Sequence, residues 1–125
     1  MQKTTYFIKT HHNKFLGISV EDFKLIQMND LSENFIPLLF CKDNSSLLIS
    51  FNNAIYSVKS LLDNGEINLC HEFGNSNIKI DFCESENFYI KQDSRFFSAR
   101  QSNENFIISL KYDMNNWEKF SLVNN

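Results

Sequence analysis

The sequence predicts an all-β domain built three times over from one unit of about 40 residues. Three observations predict it. Short alternating runs rich in Phe, Ile and Tyr, separated by Asn, Asp, Ser and Gly, have the period of half-buried strands. The chain holds 3 Gly and 1 Pro, and its 17 Asn take the turns instead, because Asn tolerates the left-handed conformation. Equivalent apolar positions also recur at a nearly constant interval. Phe15, Ile55 and Phe96 lie 40 and 41 residues apart, and Phe40, Phe82 and Leu122 lie 42 and 40 apart.

The first strands are Phe7 to Thr10, Leu48 to Phe51 and Tyr89 to Gln92. Each ends in a turn: His11 to Lys14, Asn52-Asn53, and Asp93 to Arg95. The second strands read apolar, apolar, small, apolar: Phe15-Leu16-Gly17-Ile18, Ile55-Tyr56-Ser57-Val58 and Phe96-Phe97-Ser98-Ala99. Only the stretch from Ser57 to Asp63 also passes for a helical turn. The third strands are Lys24 to Met28, Ile67 to Cys70 and Ile107 to Lys111. Turns at Glu21-Asp22, Asn64-Gly65 and Asn103-Glu104 precede them. Asn64-Gly65 is the strongest hairpin signal, since both central residues of a two-residue hairpin turn need positive φ.

The fourth strands close each unit: Phe35-x-x-Leu38-x-Phe40, Asn77-x-x-Ile80-x-Phe82 and Trp117-x-x-Phe120-x-Leu122. Trp117 stands where Phe35 and Asn77 stand, which predicts a core or barrel-rim anchor. Cys41 and Cys83 directly follow their units' last apolar anchors, with Val123 in the third place, so they read as packing residues.

One such unit cannot bury its own core; three around a pseudo-threefold axis can. Six strands then form a short barrel and six form a hairpin cap. That is a β-trefoil, a single domain over residues 1–125 with repeats at about 5–44, 45–85 and 86–125. The 42% hydrophobic content and 13 Phe supply core for one domain of this length.

Charge and motifs exclude several functions. With 12 basic and 15 acidic residues the chain carries −3, which argues against a nucleic-acid binder. No run of 18 apolar residues exists, so no membrane span is expected. The first residues lack a continuous apolar stretch and a small-residue cleavage site, so no secretory signal is read. Cys41, Cys70 and Cys83 form no Cys-x-x-Cys pair and fit free thiols in a reducing cytoplasm. His11-His12 and Cys70-His71 are strand neighbours and face apart, which suits neither a shared metal nor a nucleophile with its base. No Gly-x-Ser-x-Gly elbow or Gly-rich phosphate loop is present. No catalytic residue, metal or cofactor is therefore expected.

The run Ile8-Lys9-Thr10-His11-His12-Asn13-Lys14-Phe15-Leu16 resembles a hisactophilin repeat. The closing Trp117-Glu118-x-Phe120-x-Leu122-Val123 is similar to the fascin and hisactophilin branch of trefoils. The resemblance implies actin binding or crosslinking without catalysis. The Gln-x-Trp mark of ricin-type sugar sites is missing.

Loops on a rigid scaffold are the usual recognition surface. The expected partner-binding residues are therefore His11, His12, Asn13, Lys14, Asn52, Asn53, Asp93, Arg95 and Arg100. The expected function is a monomeric, non-catalytic cytoplasmic binding module for a protein partner. That partner is a cytoskeletal protein, or an enzyme held by a small inhibitor or immunity-type protein. The alternative is a carbohydrate-binding trefoil, which predicts a shallow polar-plus-aromatic pocket repeated in two or three units.

Overall fold

The computed structural model describes residues 5–71, 77–84, 86–100 and 106–124. Its strands are β1 (Thr5–Lys9), β2 (Phe15–Ser19), β3 (Leu25–Met28), β4 (Phe35–Pro37), β5 (Leu39–Cys41), β6 (Ser46–Phe51) and β7 (Ala54–Leu61). They continue as β8 (Ile67–His71), β9 (Ile78–Phe82), β10 (Asn87–Gln92), β11 (Arg95–Ser98), β12 (Phe106–Ile107), β13 (Ser109–Lys111) and β14 (Phe120–Asn124). Among the described residues no helix is long and apolar enough to cross a membrane.

The barrel strands run β9-β10-β14-β1-β5-β6, each antiparallel to the next. First and last strands are thus neighbours, with Ile8 across from Leu122. Hairpins β2–β3, β7–β8 and β11–β13 form the cap. The core repeats with the sequence. Ile8, Ile49 and Ile90 hold one position in three units, and all are fully buried. Ile18, Val58 and Ala99 hold a second, and Leu25, Ile67 and Ile108 a third. This is the expected β-trefoil.

Two expected strands are each broken once, for one reason. Leu38 separates β4 from β5, and Ile108 separates β12 from β13. Both are fully buried, and their N–H groups leave the regular ladder for the carbonyls of Leu16 and Leu25. At these points the chain changes partners: β4 pairs with the cap strand β2, whereas β5 pairs with β1 and β6. Leu38 turns inward at that corner.

Several sequence expectations need correction. The stretch from Ser57 to Asp63 is not helical; most of it lies in β7, with a register irregularity between Val58 and Ser60. The hairpin at Asn64-Gly65 is not a two-residue turn. Gly65 N–H bonds Leu62 O at 2.9 Å and Leu62 N–H bonds Glu66 O at 2.8 Å, so Asp63 and Asn64 are the centre. Gly65 follows at φ 92 in a three-residue loop. Its carbonyl accepts the N–H of Leu25, and a Cβ there would lie 2.2 Å from Ile107. Cys41 is buried, but Cys70 is only partly covered and Cys83 is exposed. Phe40 is buried, whereas its counterpart Phe82 is 46% exposed. The expected turn at Asn103-Glu104 lies outside the described residues.

Candidate functional site

The three connections into the fourth strands differ. Six residues join β3 to β4 and six join β8 to β9, but eight join β13 to β14. The segment 112–119 carries two exposed aromatic side chains and an exposed methionine. Tyr112 is 74% exposed, Met114 52% and Trp117 39%. Trp117 is therefore a rim residue and not a core anchor.

The reason lies one residue on. In repeat one, Phe35 is buried against Gly17, where a Cβ would meet Phe35 Cζ at 2.5 Å and Ile36 O at 2.4 Å. In repeat three the small residue is Ser98, and the buried partner is Glu118 at Ile36's place. The Ser98 hydroxyl donates to Glu118 Oε2, and Asn115 N–H donates to Glu118 Oε1 at 2.9 Å. A 3-10 turn over Asn116–Glu118 directs the carboxylate inward. The space that an aromatic ring fills in repeat one is thus taken by a hydrogen-bonded carboxylate, and Trp117 faces outward.

Repeat one closes the other side. Ala99 N–H bonds Trp117 O at 2.9 Å, and His12 Nε2 donates to Ala99 O at 2.9 Å. His11, exposed beside it, packs edge-on to His12 with ring centroids 5.7 Å apart. An open cleft of about 500 Å3 results, lined by His11, Tyr89, Met114, Asn115, Asn116, Trp117 and Lys119. At its edge the Arg100 guanidinium lies 5.4 Å from the Trp117 ring centroid and bonds Asp113 at 3.0 Å. One face of the indole is therefore covered by a cation.

The other turn residues sit elsewhere. Asn13 is left-handed at φ 62, with Thr10 N–H on Lys14 O at 2.8 Å closing the turn. Asn52 (φ 51) and Asn53 (φ 62) make the two-residue hairpin between Phe51 and Ala54, both in the conformation such turns require. Asp93 is exposed at φ 56 between β10 and β11. Arg95 points to the seam with repeat two, where it pairs with Asp63 at 3.3 Å. Of the expected binding residues, only His11, His12 and Arg100 meet at the cleft. The sequence reading missed Tyr89, Tyr112, Met114, Asn115, Asn116 and Lys119.

Among the described residues no group of three or more His, Cys, Asp or Glu is placed to hold a metal ion. No family model and no curated protein matches the sequence. Among solved structures the chain is similar to a designed three-fold symmetric protein, ThreeFoil. The TM-score is 0.66 at 12% identity, over 97% of this chain and 99% of that one. At that identity the likeness speaks for fold alone. It agrees with the sequence repeat and the strand pairing in assigning a three-fold β-trefoil.

Proposed function

We propose that this chain is a non-catalytic recognition module that binds a protein partner inside the cell through the seam between repeats one and three. The observation that carries the reading is the exposed set Tyr112, Met114 and Trp117 on one connecting segment, with Arg100 stacked on the indole. Tyr, Trp, Met and Arg are the side chains enriched at protein interfaces, and Tyr, Trp and Arg dominate hot spots. The segment is presented on a rigid frame, because its buried end is held by Glu118 and its backbone by Ala99.

Carbohydrate binding is the second reading, favoured by the amides of Asn115 and Asn116 beside Trp117. It is weaker for two reasons. Arg100 already covers one indole face. The aromatic is also confined to one seam, since Phe35 is buried and Asn77 has no ring. A cytoskeletal partner is the specific form that the hisactophilin-like repeat suggests; an inhibitor of a cytoplasmic enzyme is the other.

Co-sedimentation with filamentous actin tests the first form, and quantitative affinity capture tests the second. Both compare the native chain with a Tyr112→Ser, Trp117→Ala double variant. Stoichiometric binding that the variant loses supports the reading. Undiminished binding by a folded variant, or saturable binding on a glycan array without a protein partner, refutes it.

A further inference from the structure

The barrel wall between repeats two and three carries charge that packing does not require. In the β9–β10 pair, Ile80 lies across from Ile90 and Ile78 from Gln92. Ile90 and Gln92 are buried, so these pairs face the core. The pair between them, Lys79 and Lys91, therefore faces outward, with the two residues directly opposite. Like charges so placed weaken a strand pair. The ion pairs among the described residues are Arg95 with Asp63 and Arg100 with Asp113, and neither involves these lysines. The two side chains border a cleft of about 300 Å3 together with Asn77 and Asp93. Asn77 is fixed there by its N–H on Lys59 O at 3.1 Å.

Pseudo-symmetry shows that the fold does not demand this. The row across the sheet in repeat three is Lys79, Lys91, Phe96, Lys111. The corresponding row in repeat one is Ser121, Lys9, Phe15, Met28. There the single ammonium lies over the Phe15 ring at 4.6 Å. A chain of net charge −3 thus concentrates three lysines on one row where its own repeat manages with one.

We propose that Lys79, Lys91 and Asn77 form a binding site for a tetrahedral oxyanion, a phosphate or sulfate group. Two ammonium groups flanking one dianion convert their mutual repulsion into charge-assisted hydrogen bonds. The Asn77 amide adds a neutral donor. The cleft is about ten times the roughly 30 Å3 that one water occupies, so it also admits the group to which an ester is attached. Asp93 at the edge opposes the dianion and weakens its binding. The site is separate from the Trp117 cleft and does not depend on the function proposed for it.

The test is a titration of the 15N-labelled chain with inorganic phosphate, inorganic sulfate or phosphoserine at constant ionic strength, read at the amides of 77–79 and 91–93. Saturable shifts are expected, with a Kd on the order of 1 mM. Lys79→Met and Lys91→Met each weaken binding about ten-fold, and Asp93→Asn tightens it. Equal affinity for phosphate and phosphoserine identifies the free ion as ligand, and tighter phosphoserine identifies an ester. The Met variants keep the aliphatic stem, so without phosphate they melt at or above the native temperature. Phosphate then raises the native midpoint and not theirs. Non-saturating shifts matched by chloride, or unchanged affinity in both Met variants, overturn the proposal.

Discussion

Replacing Ser98 by Ala tests whether the exposed segment 112–118 is held from below by its buried carboxylate. Ser98 and Glu118 are both fully buried, and the hydroxyl is one of two donors seen on Glu118. A carboxylate taken out of water costs several kcal/mol, which only its hydrogen bonds offset. A hydrogen bond to a charged group contributes about 1.5–3 kcal/mol net. Ser98→Ala removes one such bond, creates little empty volume and leaves the charge in place. The expected loss is therefore about 2–3 kcal/mol, a fall in Tm of about 6–15 °C for a domain of this size. Trp117 is the only tryptophan and sits one residue from Glu118, so urea unfolding followed by its fluorescence reads the whole transition and the local one together. Hydrogen exchange should also speed up selectively over 113–118. A change under about 0.5 kcal/mol, with exchange there unaltered, refutes the anchoring argument.

Two further predictions follow from the same accounting. Gln92→Leu strips the partners from both polar groups of buried Leu61, whose N–H and C=O meet the amide at 2.6 and 2.9 Å. It should cost about 2–5 kcal/mol by denaturant titration, since each orphaned group costs about 1–3. Gly65→Ala puts a Cβ at φ 92 and 2.2 Å from Ile107, and should cost about 2–4 kcal/mol, whereas Asn64→Ala, at an exposed position, should cost under about 1.

The fold was legible because its signal is repeated. Any one alternating run is ambiguous, but Ile8, Ile49 and Ile90 each follow an apolar or aromatic residue and precede a turn at the same interval, and all three are buried. Four left-handed turn positions, Asn13, Asn52, Asn53 and Asp93, were legible for a local reason, being residue types that tolerate positive φ, whereas Phe23 (φ 59) and Ser45 (φ 52) carry no such mark. The boundaries at Leu38 and Ile108 were not. They arise where a strand changes partners, from β2 to β1 and β6 at Leu38 and from β3 to β11 at Ile108, and an inward apolar residue looks the same in an unbroken strand.

The equivalence that revealed the fold left Trp117 open between core and barrel rim. Repeat logic gave Trp117 the role of Phe35 because both open a matching pattern. Whether an aromatic there is buried depends on the small residue of the second strand, Gly17 before Phe35 and Ser98 before Trp117. Gly17 leaves room for the Phe35 ring, whereas Ser98 brings a hydroxyl that calls for a polar partner. Glu118, standing where Ile36 and Ile78 stand, supplies it, and the 3-10 turn over Asn116–Glu118 turns the carboxylate in and the indole out. The features of repeat three are thus mutually consistent: Glu118 satisfies the Ser98 hydroxyl, and the 3-10 turn that brings it inward goes with an exposed ring. Symmetric positions carry the core, which any sufficiently apolar trio fills. Compensated asymmetry has no such explanation from packing. In this chain asymmetry that packing does not require gathers at two seams, compensated around Trp117 and uncompensated around Lys79–Lys91, and that is the physical ground for seeking its ligands there.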